Sequence, residues 1–282
     1  MSEPTFVAAC VQLTSKADVA ANMATCQRLC AQARCRGAEL VVLPENFAFM
    51  GETEREKLAI AESLGKGPLC QTLAEIATKQ GIWLIAGGLP ERSDVDGKVY
   101  NTLVAFSPDG RIAASYRKIH LFDVHIPGGA YFRESGTVVG GKDPVVLDSP
   151  WGRIGLSICY DLRFPELYRV LVDQGAKMVV VPAAFTLHTG KDHWHVLLRA
   201  RAVENEIYVL AAGQFGRHNE KRMTYGHSVI VDPWGVVLAE APDRECVITT
   251  TIDLAYLEEV RRELPCLDHR RVGASDALNS TT

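Results

Sequence analysis

Short apolar runs recur along this chain, and their pattern constrains the fold more than any other feature. They read "FVAACVQL", "ELVVLP", "IWLIAGG", "NTLVAFS", "RIGLSIC", "KMVVVPAA", "IYVLAAG", "HSVIVDP" and "CVITTTID". Several are apolar almost throughout instead of alternating with polar residues, as expected of strands covered on both faces. Segments of helical period lie between some of them. Residues 22–36 end at Gly37, a good residue for closing a helix, and residues 69–79 end before Gly81. Residues 165–173 end before Gly175, and residues 194–206 form a further amphipathic segment. Other strands are joined by hairpin-type turns: "SPDG" lies between Val104 and Ile112, and "DPWG" between Ile230 and Val236. The sheets are therefore mixed and the class is α/β. Two sheets face to face with helices outside would use this much strand and helix.

Composition supports a large core, with 47% hydrophobic and 23% charged residues in 282. No linker, internal repeat or low-complexity segment is visible, so residues 1–282 read as one domain. The formal charge of −4 has the wrong sign for a nucleic-acid partner. "MSEPTFVAACVQL" has no basic region before its apolar run and reads as a first strand, not a signal peptide. No apolar stretch nears the roughly 18 residues of a membrane span. The expectation is a soluble, cytoplasmic protein with reduced cysteines. None of the eight cysteines forms a C-x-x-C pair. Cys26 and Cys30, one helical turn apart, read as packing residues. Two segments depart from the pattern: the Gly-rich connection of residues 122–143, and the tail from residue 268, which lacks apolar periodicity.

Chemistry-bearing residues stand at strand ends. Cys159 in "SICYDLRFPEL" sits between a strand and a helix that Pro165 can start. There the Tyr160 N–H could meet a developing oxyanion. On position alone, a nucleophile and a buried structural cysteine stand level. Only a few per cent of an ordinary thiol is thiolate at neutral pH, so a nucleophile needs a base or a cation. Glu45, at the end of "ELVVLPENF", reads either as an exposed loop acid or as a desolvated carboxylate. Desolvation would raise its pKa toward that of a general base. "YRKIHLFD" offers Arg117 and Lys118, a solvated pair or one cation turned into a cleft. "HTGKDHWH" carries His188, His193 and His195 without a recognised metal-ligand spacing. A helix start with structural histidines is the plainer reading, and a metal-dependent hydrolase is the alternative of a different class. Arg199, Arg201 and Glu204 read as a buried ion network.

Taken in order, these segments resemble the nitrilase superfamily of carbon–nitrogen hydrolases, from about Phe6 to Arg271. "LVVLPENF" is similar to the family's glutamate segment, matching Glu45. "YRKIHLFD" is similar to its lysine segment, matching Lys118, and "SICYDLRFPEL" to its nucleophile elbow, matching Cys159. The "RES" of "AYFRESGTVVGG" matches a second glutamate, Glu134. The segment from "HWHVLLRARAVEN" through "GRHNEKR", with the late "RRELPCLDHRR", resembles the Nit branch and its amidases for deaminated glutathione. His125 departs from the pattern, standing where the family usually carries an acid.

The resemblance implies an αββα sandwich of two mixed sheets flanked by helices. Its core would span about residues 5–255, with residues 256–282 available to pack on a partner subunit of a homodimer or larger homo-oligomer. It also implies hydrolysis of a small linear amide through a cysteine thioester, releasing ammonia, with no cofactor and no metal. Arg163 is a candidate partner for a substrate carboxylate, or else a helix-start arginine paired with a structural acid. Tyr160, Thr186 and Thr189 are candidates to line the pocket. An ω-amidase, a nitrilase or an N-carbamoyl hydrolase would use the same triad, and a non-catalytic binding module on this fold is the remaining alternative.

Overall fold

The computed structural model describes residues 5–125 and 131–272. Its first sheet is built from β1 (Thr5–Gln12), β2 (Leu40–Leu43), β3 (Trp83–Arg92), β4 (Val99–Phe106) and β5 (Ile112–Arg117). In the Gly-rich connection, β6 (Asp123–His125) and β7 (Tyr131–Arg133) pair antiparallel, and β8 (Val138–Val139) adds to β4. That segment is thus locally ordered where described; residues 126–130, with Gly128 and Gly129, lie outside the described residues. The second sheet contains β9 (Val146–Ser149), β10 (Gly152–Leu156), β11 (Ala176–Val180) and β12 (Tyr208–Ala211). A small hairpin follows, β13 (Phe215–Arg217) with β14 (Met223–Tyr225). β15 (Val229–Val231) and β16 (Val237–Glu240) complete the second sheet, and β17 (Cys246–Asp253) returns to the first.

The strand orders are β17-β1-β2-β3-β4-β5 and β16-β15-β12-β11-β10-β9. Each sheet has a parallel centre, β1-β2-β3 or β10-β11-β12, and antiparallel margins. The parallel steps need crossovers, and helices supply them. α1 (Val19–Cys35) and α2 (Pro68–Gln80) cover the first sheet; α3 (Pro165–Asp173) and α4 (Leu187–Asn205) cover the second. This is the expected αββα sandwich of two mixed sheets.

Period-two alternation explains why the strands are apolar throughout. Ala8, Cys10, Val42, Ile85, Leu103 and Ala105 face the second sheet and join its residues in one core. Their neighbours Ala9, Val11, Val41, Leu84, Ala86 and Val104 face α1 and α2 in a second core. The side chains at the centres of these strands therefore have an apolar layer to meet on either face. Cys26 and Cys30 are fully buried in the helix-side core, as their spacing suggested.

Most helix ends follow local chemistry. Asp18 caps α1 by accepting from the Ala21 N–H, and α2 begins at Pro68 and closes on left-handed Gly81. α4 departs from the sequence reading. It starts at Leu187, well before Trp194, with Thr186 as its N-cap. The early turn carries Gly190 and polar residues, so its apolar period is weak. Tertiary packing requires that glycine, because a Cβ there would stand 2.3 Å from Cβ of Tyr225.

Residues 254–270 make contacts within their own chain. α5 (Leu254–Glu263) buries Leu254, Leu257 and Val260. Arg261 donates to the carbonyls of Glu206 and Ala176, and Arg270 pairs with Asp173 at 2.6 Å. Residues 273–282 lie outside the described residues. No helix among the described residues is long and apolar enough to cross a membrane.

Candidate active site

Four strand ends converge in the cleft where the two sheets meet. Glu45 follows β2, Lys118 follows β5, Cys159 follows β10 and Ala184 follows β11. Strand alternation separates the basic pair. Lys118 turns inward and is 2% exposed, while Arg117 turns outward to Glu91 at 2.7 Å and lies over the Tyr100 ring. All four catalytic candidates, Glu45, Lys118, Cys159 and Glu134, are buried and line one cavity.

Lys118 sits between the two glutamates. Its Nζ donates to Glu45 Oε1 at 3.0 Å and to Glu134 Oε2 and Oε1 at 2.9 and 3.1 Å. Glu45 Oε2 accepts from the Ala184 N–H at 3.1 Å, and Glu134 Oε2 from the Phe122 N–H at 2.7 Å. The thiol of Cys159 lies beside Glu45, close enough to act on the ionisation of its carboxyl. Sequence reasoning missed Asn101, a buried residue of β4. Its Nδ2 donates to Glu45 Oε1 at 2.9 Å and to Glu134 Oε1 at 3.2 Å, so one amide spans both carboxylates. Turning that amide over would place its oxygen against two anions, which fixes its orientation.

The elbow is strained and braced. Cys159 has φ +50, in the left-handed region that non-glycine residues seldom occupy. Its N–H is held by Pro182 O at 2.9 Å. Fully buried Asp161 ties the elbow to the lysine segment. It accepts from the Ile158 N–H at 2.8 Å, the Tyr116 hydroxyl at 2.8 Å and the His120 N–H at 3.1 Å. From α4, Arg201 donates twice to Leu162 O while pairing with Glu204 at 2.8 Å. Arg199 stands apart from that pair and binds Gly235 O. Asn101 belongs to no local pattern, and apart from the nearby Ile158 N–H the partners of Asp161 and Asn101 arrive from distant segments.

The charge states follow from this packing. Burial acts to raise the pKa of Glu45, but Lys118 and the neighbouring Cys159 thiol outweigh it and hold the carboxyl below its ordinary value. This corrects the expectation that desolvation would raise it. Burial and the Glu45 carboxylate push the Cys159 thiol well up, against the smaller opposing pull of Lys118. Burial would lower Lys118, yet Glu134, Glu45 and Cys159 together raise it well above the ordinary lysine value. At rest the centre is a carboxylate, an ammonium and a neutral thiol. The base is thus already ionised, beside the thiol whose proton it would take.

Tyr160, Arg163, Thr186 and Thr189 all line the same cavity. Among the described residues, Arg163 is paired with no acid. Its guanidinium lies 3.3 Å from His193 Nδ1 and over the Phe185 ring at 5.3 Å. Thr186 and Thr189 face each other, hydroxyl to hydroxyl, at 2.9 Å on the first turn of α4. The lining also holds Lys57, Glu54 and Arg222, which sequence reading did not single out. Glu54 joins both cations, at 2.5 Å to Lys57 and 2.7 Å to Arg222. Burial opposes its ionisation, but these two cations hold its pKa down at about 2. In all, the basic residues Lys57, Lys118, Arg133, Arg163 and Arg222 outnumber the acidic Glu45, Glu54 and Glu134 around the cavity.

The three histidines do not form one centre. His193 turns to Arg163, whereas His195 binds Glu240 Oε1 at 3.0 Å. On a helix, His188 and His195 are separated by about 10 Å of rise. This removes the metal-dependent hydrolase built on His188, His193 and His195.

The sequence profile of the carbon–nitrogen hydrolase family matches residues 7–262. A deaminated glutathione amidase of Synechocystis sp. is 46% identical over 269 residues, 94% of this chain and 98% of that protein. The crystal structure of the C. elegans NitFhit protein superposes with a TM-score of 0.89 at 40% identity. That match covers 96% of this chain and 66% of the longer NitFhit chain. Saccharomyces cerevisiae Nit3, a member of branch 10 of the nitrilase superfamily, gives a TM-score of 0.86 at 32% identity, covering 96% of this chain and 98% of its own. A fold, an ordered set of strand-end motifs and a match over nearly the whole length agree: the chain belongs to the carbon–nitrogen hydrolase family, within the Nit branch of the nitrilase superfamily, and is an amidase acting on non-peptide C–N bonds.

Proposed function

We propose that this enzyme hydrolyses deaminated glutathione, or a small linear amide of the same charge pattern, with Cys159 as nucleophile. The observation that carries the chemistry is Lys118 held between Glu45 and Glu134, with the Cys159 thiol against the same Glu45 carboxylate. Glu45 accepts the thiol proton as Sγ attacks the amide carbonyl carbon. Lys118 and the Tyr160 N–H stabilise the oxyanion; one preorganised donor of this kind contributes about 3–4 kcal/mol. The C–N bond then breaks, and the proton on Glu45 passes to the departing nitrogen. A primary amide releases ammonia; an N-substituted amide such as deaminated glutathione releases the amine. Water next attacks the thioester carbonyl as Glu45 accepts its proton. The C–S bond breaks, the thiol regains a proton from Glu45, and the acid leaves. Glu134 and Asn101 hold Lys118 and Glu45 in register.

The basic excess of the lining supports the substrate class. Deaminated glutathione carries a carboxylate at each end, and guanidinium groups such as those of Arg163 and Arg222 suit carboxylates. Tyr160, Thr186 and Thr189 serve as further substrate contacts. The test compares kcat/KM for deaminated glutathione, glutamine-derived ω-amides, nitriles and N-carbamoyl compounds, since specificity is that ratio. Preference for the first supports the reading; an ω-amide favoured tenfold or more overturns the substrate. Undiminished turnover in Cys159→Ala overturns the mechanism.

The same reading takes the chain as one hydrolase domain, working in the cytoplasm as a homodimer or higher homo-oligomer, without nucleic-acid or membrane partners. Exposed Val196 and Val203 on one face of α4, beside exposed Trp234 and Val236, support a self-association surface. Sedimentation of Val203→Glu beside the unaltered chain tests it, and identical association in both would refute the surface.

A further inference from the structure

We propose that His195, His227 and Glu240 form a binding site for one divalent transition-metal ion, separate from the catalytic centre. His195 belongs to the middle of α4, His227 precedes β15 and Glu240 ends β16. Nε2 of His195 lies 3.0 Å from Glu240 Oε1, and Nδ1 of His227 lies 2.8 Å from the same oxygen. One donor atom from each of the three lies within 4.8 Å of the others. Ligands about 2.0–2.1 Å from a tetrahedral ion stand roughly 3.3 Å apart, so little movement is needed to admit one.

The surroundings of His227 suit a ligating imidazole. Its Nδ1 faces Glu240, and its Nε2 faces Asp243 Oδ1 at 3.1 Å. A neutral imidazole has a single N–H and cannot donate to both carboxylates. A second proton or a metal cation on Nδ1 satisfies both. With the metal, the ring binds through Nδ1 and donates its Nε2–H to Asp243, the carboxylate–histidine–metal arrangement that orients ligating imidazoles. The ring is also held in place. His227 has φ +52, its carbonyl accepts from Trp194 Nε1 at 2.7 Å, and its imidazole stacks on Tyr225 at 4.4 Å. Strained backbone of this kind marks sites whose surroundings over-determine them.

Two imidazoles and one carboxylate, with open positions toward solvent, suit Zn²⁺, Co²⁺ or Ni²⁺ over Mg²⁺ or Ca²⁺. Bound there, the ion links the middle of α4 to the β15–β16 hairpin. It stabilises the folded chain by mass action.

The test titrates metal-stripped full-length protein with Co²⁺, read by absorption, and with Zn²⁺, read by equilibrium dialysis and melting temperature. The variants are His195→Ala, Glu240→Gln and His227→Asn, the last because Asn tolerates a left-handed backbone. The expected result is one ion per chain and a higher melting temperature with Zn²⁺. Affinity falls tenfold or more in each variant and is retained in Cys159→Ala. Failure of the unaltered protein to bind either ion at micromolar concentration overturns the site. So does binding unchanged in His195→Ala and Glu240→Gln, or binding lost in Cys159→Ala, which would place the ion on the catalytic thiol.

Discussion

Replacing Lys118 by Met tests the charge balance of the centre most directly. The substitution keeps an unbranched side chain of similar reach and removes the ammonium. Glu45 and Glu134, 3% and 9% exposed, then face each other around a neutral group. Leaving buried charge uncompensated costs about 3–5 kcal/mol. With an m-value of about 3 kcal/mol per molar urea for a chain of this size, the unfolding midpoint should fall by about 1–1.7 M at neutral pH. The loss must also depend on pH, with a definite sign. In the native chain, Lys118 holds Glu45 below its ordinary pKa. That contribution is present above the unfolded carboxylate pKa of about 4.3 and is lost as pH falls through the lower folded value. Without Lys118, burial and the neighbouring carboxylate push the folded pKa above the unfolded one. The variant is then best off below about pH 4.3 and loses stability as pH rises through the raised folded pKa. Urea unfolding of both proteins from pH 5 to pH 8, at one fixed protein concentration, should therefore show a deficit that widens with pH. A deficit under about 1 kcal/mol would refute the claim that this lysine neutralises two buried carboxylates. A deficit independent of pH would refute the direction assigned to Glu45.

Other substitutions probe other parts of the same argument. Glu45→Gln should lower kcat about 10²–10⁴-fold, because the amide cannot accept the thiol proton; full activity in steady-state assays would show the base misassigned. Arg163→Met should raise KM for a dianionic amide far more than for a neutral one of similar size, and equal effects on both would remove Arg163 from carboxylate recognition. Asn101→Ala should lower kcat with KM nearly unchanged and shift the acid limb of the rate–pH profile, since it deletes a donor shared by both glutamates; an unmoved profile would leave Asn101 a packing residue. Gly190→Ala should destabilise by about 1–3 kcal/mol through overpacking against Tyr225, and an unchanged melting temperature would contradict that contact.

Much of the architecture was legible in local pattern. Strands buried on both faces read as uninterrupted apolar runs, because each of their side chains meets either the other sheet or a helix. Glycine and proline marked the ends of α2 and α3, since their backbone limits act without help from distant residues. Glu45 and Cys159 were legible for a related reason, since each follows a strand whose apolar run announces it; Lys118 follows the largely exposed β5 and was legible through the resemblance of its segment. The start of α4 was hidden because its first turns are polar and Gly190 answers to a tyrosine of β14.

What only the tertiary structure decided are the relations among distant residues. Asn101 sits in unremarkable local sequence, and its role, like the bonds of Asp161 to Tyr116 and His120, exists only where segments distant in the chain meet. The charge state of Glu45 is the plainest case. Local sequence showed the burial that raises its pKa, but not the ammonium 73 residues away that lowers it. Over 3 Å inside a protein, a Coulomb interaction can outweigh desolvation. Propensity and periodicity act between near neighbours along the chain, and electrostatics acts between near neighbours in space. The sequence alone could therefore name the three groups at the strand ends, while the sign of their mutual influence waited on the fold.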